Sequence, residues 1–261
     1  MKPDFALAKK PCNGQNRKEF HVKPIRLDDV GAMPAAFLAR LKPLEHLFRQ
    51  HKYIDSLTQD PRAGRLQYDV EDYLRTQPVR GYHCTREPMP GYFSNHGLRL
   101  TDIASHQAEF LAQWGHLFTD SEKEDMRRAW NSYFVGTGQE RARNGMLWFC
   151  LTECSARVHG TRVFFDHFGG EAVFMPLKDH PTIALKLGKI GTPVVVEARL
   201  QPGTTAPLRL ALPLLSAYHR TVRPDAHVWE AETNIRRPVP PADVLAVSRR
   251  RPQQRGHACS W

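Results

Sequence analysis

Phe164-Phe165-Asp166-His167-Phe168-Gly169-Gly170-Glu171-Ala172-Val173-Phe174 is the stretch on which the reading of this chain turns. Two glycines that let the backbone approach a partner closely are followed at once by a carboxylate, then by an apolar, β-branched and aromatic run of strand character. On that reading Glu171 stands at the mouth of a strand spanning 172–175. From there it can contact a ligand's hydroxyls and stabilise developing positive charge. The plainer alternative is a Gly-Gly turn into an ordinary strand whose glutamate faces water, and the stretch alone does not separate the two.

Outward from this point the chain predicts strands at 146–151, 163–165 and 193–200, with closing strands at 228–233 and 244–247. A helix over 181–187 falls between the 172–175 strand and the 193–200 strand, and 211–218 fits either a helix or a strand. Upstream, Val79 to Thr85 reads as a strand that runs into a proline-bracketed loop. Helices are predicted over 102–114 and from a capping box in which Ser121 pairs with Glu124. Apolar positions at helical spacing between Ala32 and Leu57, interrupted by Pro43, predict two short helices or one kinked one. Pro61 and Gly64 mark a polar link, with a short helical turn at 70–74. Helices precede strands without strict alternation, which predicts an α+β fold with a mixed or antiparallel sheet.

The composition sets outer limits. In 261 residues there are 37 Lys and Arg against 27 Asp and Glu, a formal charge of +10, which favours polyanionic partners and nucleic acid first. The length accommodates a large buried core. No run of eighteen apolar residues occurs, so no membrane span is expected. The amino terminus is polar and basic and lacks an apolar leader segment, and the cytoplasm is the expected compartment. Five cysteines, Cys12, Cys84, Cys150, Cys154 and Cys259, are odd in number and irregular in spacing. That pattern argues against a disulfide framework. Cys150, Cys154 and His159, or His83 and Cys84, could in principle hold zinc. A strand position for Cys150 and a loop position for Cys154 do not converge as a compact knuckle does, so no metal is expected. Dinucleotide, Walker and nucleophile-elbow motifs are absent as well.

The remaining constellation is His83-Cys84-Thr85-Arg86, Gly97-Leu98-Arg99, the aromatic strand Leu147-Trp148-Phe149, and Gly169-Gly170-Glu171. On a strand, His83 and Thr85 leave the same face, so a ring nitrogen and a hydroxyl project together. A strand bearing His-x-Thr, a following glycine-leucine element, a middle strand of aromatics and a glutamate on a late strand resemble, in that order, the ADP-ribosyltransferase superfamily. The resemblance is closest to its His-type branch, which includes poly-ADP-ribose polymerases and bacterial toxins that modify DNA. It covers roughly 80–247 in motif order rather than in close identity.

The resemblance implies an ADP-ribosyltransferase-like catalytic domain over 78–248, an N-terminal basic and helical extension over 1–77, and a basic tail over 249–261. It implies NAD as co-substrate. The first-strand histidine binds the adenosine-side ribose and the backbone beside it holds the nicotinamide carboxamide, positions matched by His83 and Cys84. The late-strand glutamate binds the nicotinamide ribose, matched by Glu171. Glu230 and Glu232, in a Trp-Glu-Ala-Glu-Thr-Asn-Ile stretch, compete for that role if the strands are counted differently. The middle-strand stacking position, often Tyr, is taken here by Trp148 or Phe149, with Thr152, Tyr92 and Tyr133 also in range. Thr85 completes the expected NAD-binding set, and Arg86, Arg99 and Arg143 are the candidate donors to the NAD pyrophosphate. The acceptor is expected to be nucleic acid, or else a protein. A toxin or anti-phage role would call for an inhibitory partner such as an antitoxin. An NAD glycohydrolase and a non-enzymatic basic nucleic-acid-binding protein are the alternatives.

Overall fold

The computed structural model describes residues 22–57, 59–157 and 159–249. Most of the basic amino-terminal stretch and, Arg249 apart, the predicted basic tail lie outside the described residues. The chain forms a mixed α+β fold. Helices α1 (Ala35–Leu41), α2 (Glu45–Gln50), α3 (Ile54–Leu57) and α4 (Pro61–Arg75) precede strand β1 (Val79–Glu87). Next come α5 (Tyr92–His96), α6 (Ile103–Trp114), α7 (Asp120–Phe134), α8 (Gln139–Arg143) and strand β2 (Leu147–Cys150). Short helices α9 (Arg162–Asp166), α10 (Gly170–Val173) and α11 (Ile183–Leu187) lead to β3 (Thr192–Leu200), α12 (Ala211–Val222), β4 (Glu232–Ile235) and β5 (Val244–Arg249). The five strands form one antiparallel sheet in the order β4-β2-β1-β3-β5.

Alternation decides which face of the sheet is buried. Val194, Val196, Ala198 and Leu200 of β3 point inward with Val79, Leu147, Phe149 and Ile235, and share one core with Leu27, Leu41, Phe48, Leu66, Leu74 and Leu214. Helices α1–α4 and α12 cover this face, so the amino-terminal helices and the sheet bury the same apolar surface. Gly81 sits where β1 meets this core. A Cβ there would stand 2.8 Å from Leu200 Cδ1 and 3.0 Å from Phe149 Cδ1. Gly81→Ala is therefore expected to destabilise by about 1–3 kcal/mol through overpacking, read as a lower denaturant midpoint with an unchanged m-value. A second core, centred on Phe110, Met126, Trp130, Val173, Phe174, Leu177 and Ile183, joins α6, α7, α10 and α11.

Several helical boundaries correct the expectations. Pro61 opens α4 rather than a link: Asp60 caps it, accepting from the amides of Arg62 (2.8 Å) and Ala63 (3.4 Å), and proline fits the first turn because no intrahelical donor is needed there. The capping box of α7 is Thr119 with Glu122, not Ser121 with Glu124. Both frames satisfy the motif, and Glu122 is favoured because it also accepts from Lys186 Nζ of α11 at 2.6 Å. The strands expected at 163–165 and 172–175 are helices α9 and α10. Cys84 and Cys150 carry free thiols, whereas Cys154 is disulfide-bonded, a bridge that the odd number and irregular spacing of the cysteines did not anticipate.

The segment left open at 211–218 is α12, and its position depends on two buried polar anchors. Glu71 of α4, 3% exposed, accepts from the amides of Arg209 (3.3 Å), Leu210 (2.9 Å) and Ala211 (2.8 Å), satisfying donors that the helix start leaves free. His219, wholly buried, donates Nε2–H toward the carbonyls of Phe48 (2.9 Å) and His51 (3.0 Å). Burial lowers its pKa below the ordinary 6.5, so the folded protein holds the ring neutral while the unfolded chain takes up a proton near 6.5. Stability is expected to fall as pH drops below 6.5, by up to about 1.4 kcal/mol per pH unit from this residue. Melting temperatures that stay level between pH 7.5 and 5.5 would contradict this assignment.

Candidate active site

β1 lies against its two neighbours very differently. It pairs with β3 along its whole length, from Val79↔Leu200 to Glu87↔Thr192. With β2 it pairs only at Tyr82↔Cys150. Before this point the β2-side edge of β1 is met by Ile25, which forms a parallel bridge to Val79. Beyond it the strands part, and the ring of His83 reaches across the opening, with Nδ1 2.9 Å from the carbonyl oxygen of Trp148.

This contact defines the chemistry of His83. A carbonyl only accepts, so Nδ1 carries the proton and Nε2 keeps its lone pair. Desolvation lowers the ring's pKa below 6.5, against the opposing effect of the Trp148 carbonyl, and the imidazole is held neutral. Part of the ring still reaches solvent, and no protein donor lies on Nε2 among the described residues. A neutral histidine fixed through one nitrogen, with the other open at a parting of strands, is suited to accept a hydrogen bond from a ligand hydroxyl.

The pleat sorts the other candidates. His83 and Thr85 share the face of Phe149, whose ring centroid is 5.7 Å from that of His83. Cys84, Trp148, Cys150 and Glu232 leave by the other face, with Cys150 opposite Glu232 and Trp148 opposite Asn234. Trp148 is 41% exposed although it stands on an inner strand, and Glu232, at the start of β4, is exposed beside it with no ion-pair partner among the described residues. The Cys150 thiol is pushed up in pKa, first by a hydrogen bond with Cys84 and then by burial, so it is inert rather than nucleophilic.

Glu171 is elsewhere. It belongs to α10, not to a strand, and its Oε1 accepts from Arg143 Nη2 at 2.9 Å, with both side chains half-buried. The double glycine serves this helix. Gly169 adopts φ +93 at its N-cap, where a Cβ would come within 2.5 Å of the Val173 Cβ. The carbonyls of Ala172 and Val173 are taken by Gln107 Nε2 (3.0 Å) and Trp130 Nε1 (2.9 Å). No hydrogen bond or ion pair joins Glu171 to His83. The structure therefore gathers His83, Cys84 and Trp148 at one opening, places Glu232 on the adjoining strand, and leaves Glu171 with Arg143 in the second core region.

The candidate arginines are engaged in the protein's own structure. Arg86 donates to four carbonyls, those of Ile190 (2.7 Å), Phe165 (2.5 Å), Gly188 (3.0 Å) and Gly191 (2.8 Å). Arg99 forms a solvent-exposed pair with Glu109. Tyr92 packs against Phe93 and His96, and Tyr133 against Phe134. Thr152 is buried and closes a turn with the Ser155 hydroxyl at 2.7 Å. Trp148 is thus the aromatic side chain on the middle strand with an open face. Among the described residues no group of three or more His, Cys, Asp or Glu side chains is gathered to hold a metal, and no helix is long and apolar enough to cross a membrane.

No family model, curated protein or solved structure matches the chain significantly.

Proposed function

We propose that the protein is an NAD-dependent ADP-ribosyltransferase acting on a macromolecular acceptor, with nucleic acid favoured, in the role of a toxin or defence effector. The observation that carries this reading is the state of His83: neutral, fixed by the Trp148 carbonyl at 2.9 Å, and open at Nε2 where β1 and β2 separate. NAD presents ribose hydroxyls and a carboxamide, and the parting offers both an imidazole acceptor and the backbone beside Cys84. At the parting His83 and Thr85 leave by one face and Trp148 by the other, and Glu232 stands one strand further on, on β4.

For the carboxylate we assign Glu232. The resemblance asks for a glutamate on a late strand near the histidine strand and the aromatic strand. Glu232 begins β4, next to β2 and then β1 in the sheet, and no guanidinium neutralises it. Glu171 meets neither requirement. When the bond between nicotinamide and ribose C1′ breaks, its electron pair leaves on neutral nicotinamide and positive charge develops on the ribose. A fixed carboxylate stabilises that charge. The acceptor heteroatom then bonds to C1′ and releases its proton, for which Glu232 is the base we assign. Arg86 is fully occupied by backbone carbonyls and is left out of the site.

The test is incubation of labelled NAD with the wild-type protein and the Glu232→Gln and Glu171→Gln variants, in the presence of RNA, DNA and protein pools. Label transferred to one pool by wild type and lost in Glu232→Gln supports the proposal. Free ADP-ribose without any adduct indicates a glycohydrolase, with water reaching the exposed Glu232. NAD left intact by the wild-type protein would overturn the enzymatic reading.

A further inference from the structure

Beside β4 lies a pocket of ≈ 540 Å³, walled by the 202–207 turn and by Asn234, Arg236 and Arg237. No acidic side chain lines it. Arg236 and Arg237 are exposed and follow β4 directly, and neither has a carboxylate partner among the described residues. Most arginines described above are already engaged, Arg86 with carbonyls and Arg99 with Glu109. Two adjacent arginines without a carboxylate partner therefore line one concavity, together with the hydroxyls of Thr204 and Thr205, the amide of Asn234, and the apolar Pro202, Ala206 and Pro207.

The opposite wall is held in place. Thr204 donates its amide (3.2 Å) and its hydroxyl (2.7 Å) to the Gln201 carbonyl, and the Ala206 amide donates to Thr233 Oγ1 at 3.1 Å. Thr205 bridges to Ile235 of β4. Leu208 just beyond is kept at φ 58, a left-handed conformation costly for a leucine, while Glu71 takes the next three amides. The pocket is thus formed in advance.

We propose that this pocket is the site that holds phosphodiester groups of a single-stranded nucleic acid, with Arg236 and Arg237 as the phosphate donors. Guanidinium forks match phosphate oxygens in geometry, and the +10 charge of the chain favours a polyanion over a single small anion. The placement adds a reason. Asn234, in the pocket wall, is two residues from Glu232 and directly opposite Trp148, so a strand anchored here runs beside the assigned transfer centre. In this way the inference deepens the transferase reading and rests on it for the meaning of the bound strand, but not for the binding itself.

The test is binding of fluorescein-labelled oligothymidylate and oligouridylate, without NAD, to wild type, to the Arg236→Ala/Arg237→Ala double variant, and to a control in which ion-paired Arg40 and Arg62 are changed to Ala. The double variant is expected to bind at least about tenfold more weakly, and the slope of log affinity against log salt is expected to shrink by about 1.4, two phosphate contacts' worth. The control should match wild type, and melting temperatures should be unchanged because both arginines are exposed. An unchanged affinity and slope in the double variant would overturn the proposal. If the strand binds as expected while the wild-type protein leaves NAD intact, the pocket stands and the transferase reading falls.

Discussion

Arg86→Met is expected to cost the fold about 3–5 kcal/mol, one of the largest effects available from a single polar residue in this protein. Methionine replaces the apolar stem, but it removes four hydrogen bonds to the carbonyls of Phe165, Gly188, Ile190 and Gly191. Each charge-assisted bond contributes roughly 1.5–3 kcal/mol in favourable settings, and the carbonyls left behind recover only part of that from water. The same four bonds tie the 165–191 segment, and with it the second core, to β1. For a chain of this size the loss corresponds to a fall in melting temperature of about 6–15 °C. Arg86→Lys should restore only a fraction, since an ammonium offers three donors on a flexible stem instead of a planar fork. A cofactor-binding role makes the contrary prediction, a raised KM for NAD at unchanged stability. A melting temperature equal to wild type would therefore return Arg86 to the site.

Glu232→Gln is expected to lower kcat for ADP-ribose transfer by about 10²–10³-fold while leaving the melting temperature within about 1 °C of wild type. Glutamine keeps the shape and the exposed position and removes the negative charge that, on the proposed transferase reading, stabilises the developing cation. Because the side chain makes no ion pair with the described residues, no partner is stranded by the change. Glu171→Gln supplies the contrast. It removes the negative charge opposite the half-buried Arg143 guanidinium, keeping only a neutral acceptor there, so it should lower stability with little effect on transfer. The two variants separate the assignments cleanly. A large kinetic loss in Glu171→Gln with an active Glu232→Gln would reverse them.

The comparison of these two glutamates shows where reading along the chain succeeds and where it stops. The run after Gly170 has strand composition, but a short apolar run has no periodicity that distinguishes a strand from a buried helical turn. Trp130 and Gln107 decide the matter by taking the carbonyls of Val173 and Ala172, and both belong to helices some forty to sixty-five residues away. The capping of α7 repeats the lesson: two overlapping motifs are equally good locally, and Lys186 selects one. Pro61 is a different failure, since Asp60-Pro61 is itself a helix-start signal and the structure uses it as one.

Strand identity along β1, β2, β3 and β5, the helices near 103–114 and 120–134, the α+β class and the excess of positive charge were all determined by local pattern. Alternation and helical spacing act over a few residues, and burial of one face follows from them. Which carboxylate stands beside the aromatic strand, which arginines are free, and where β1 parts from β2 to expose the Nε2 of His83 were decided by tertiary structure alone. Those properties depend on hydrogen-bond partners and strand neighbours far away in the chain, and no short-range periodicity encodes them.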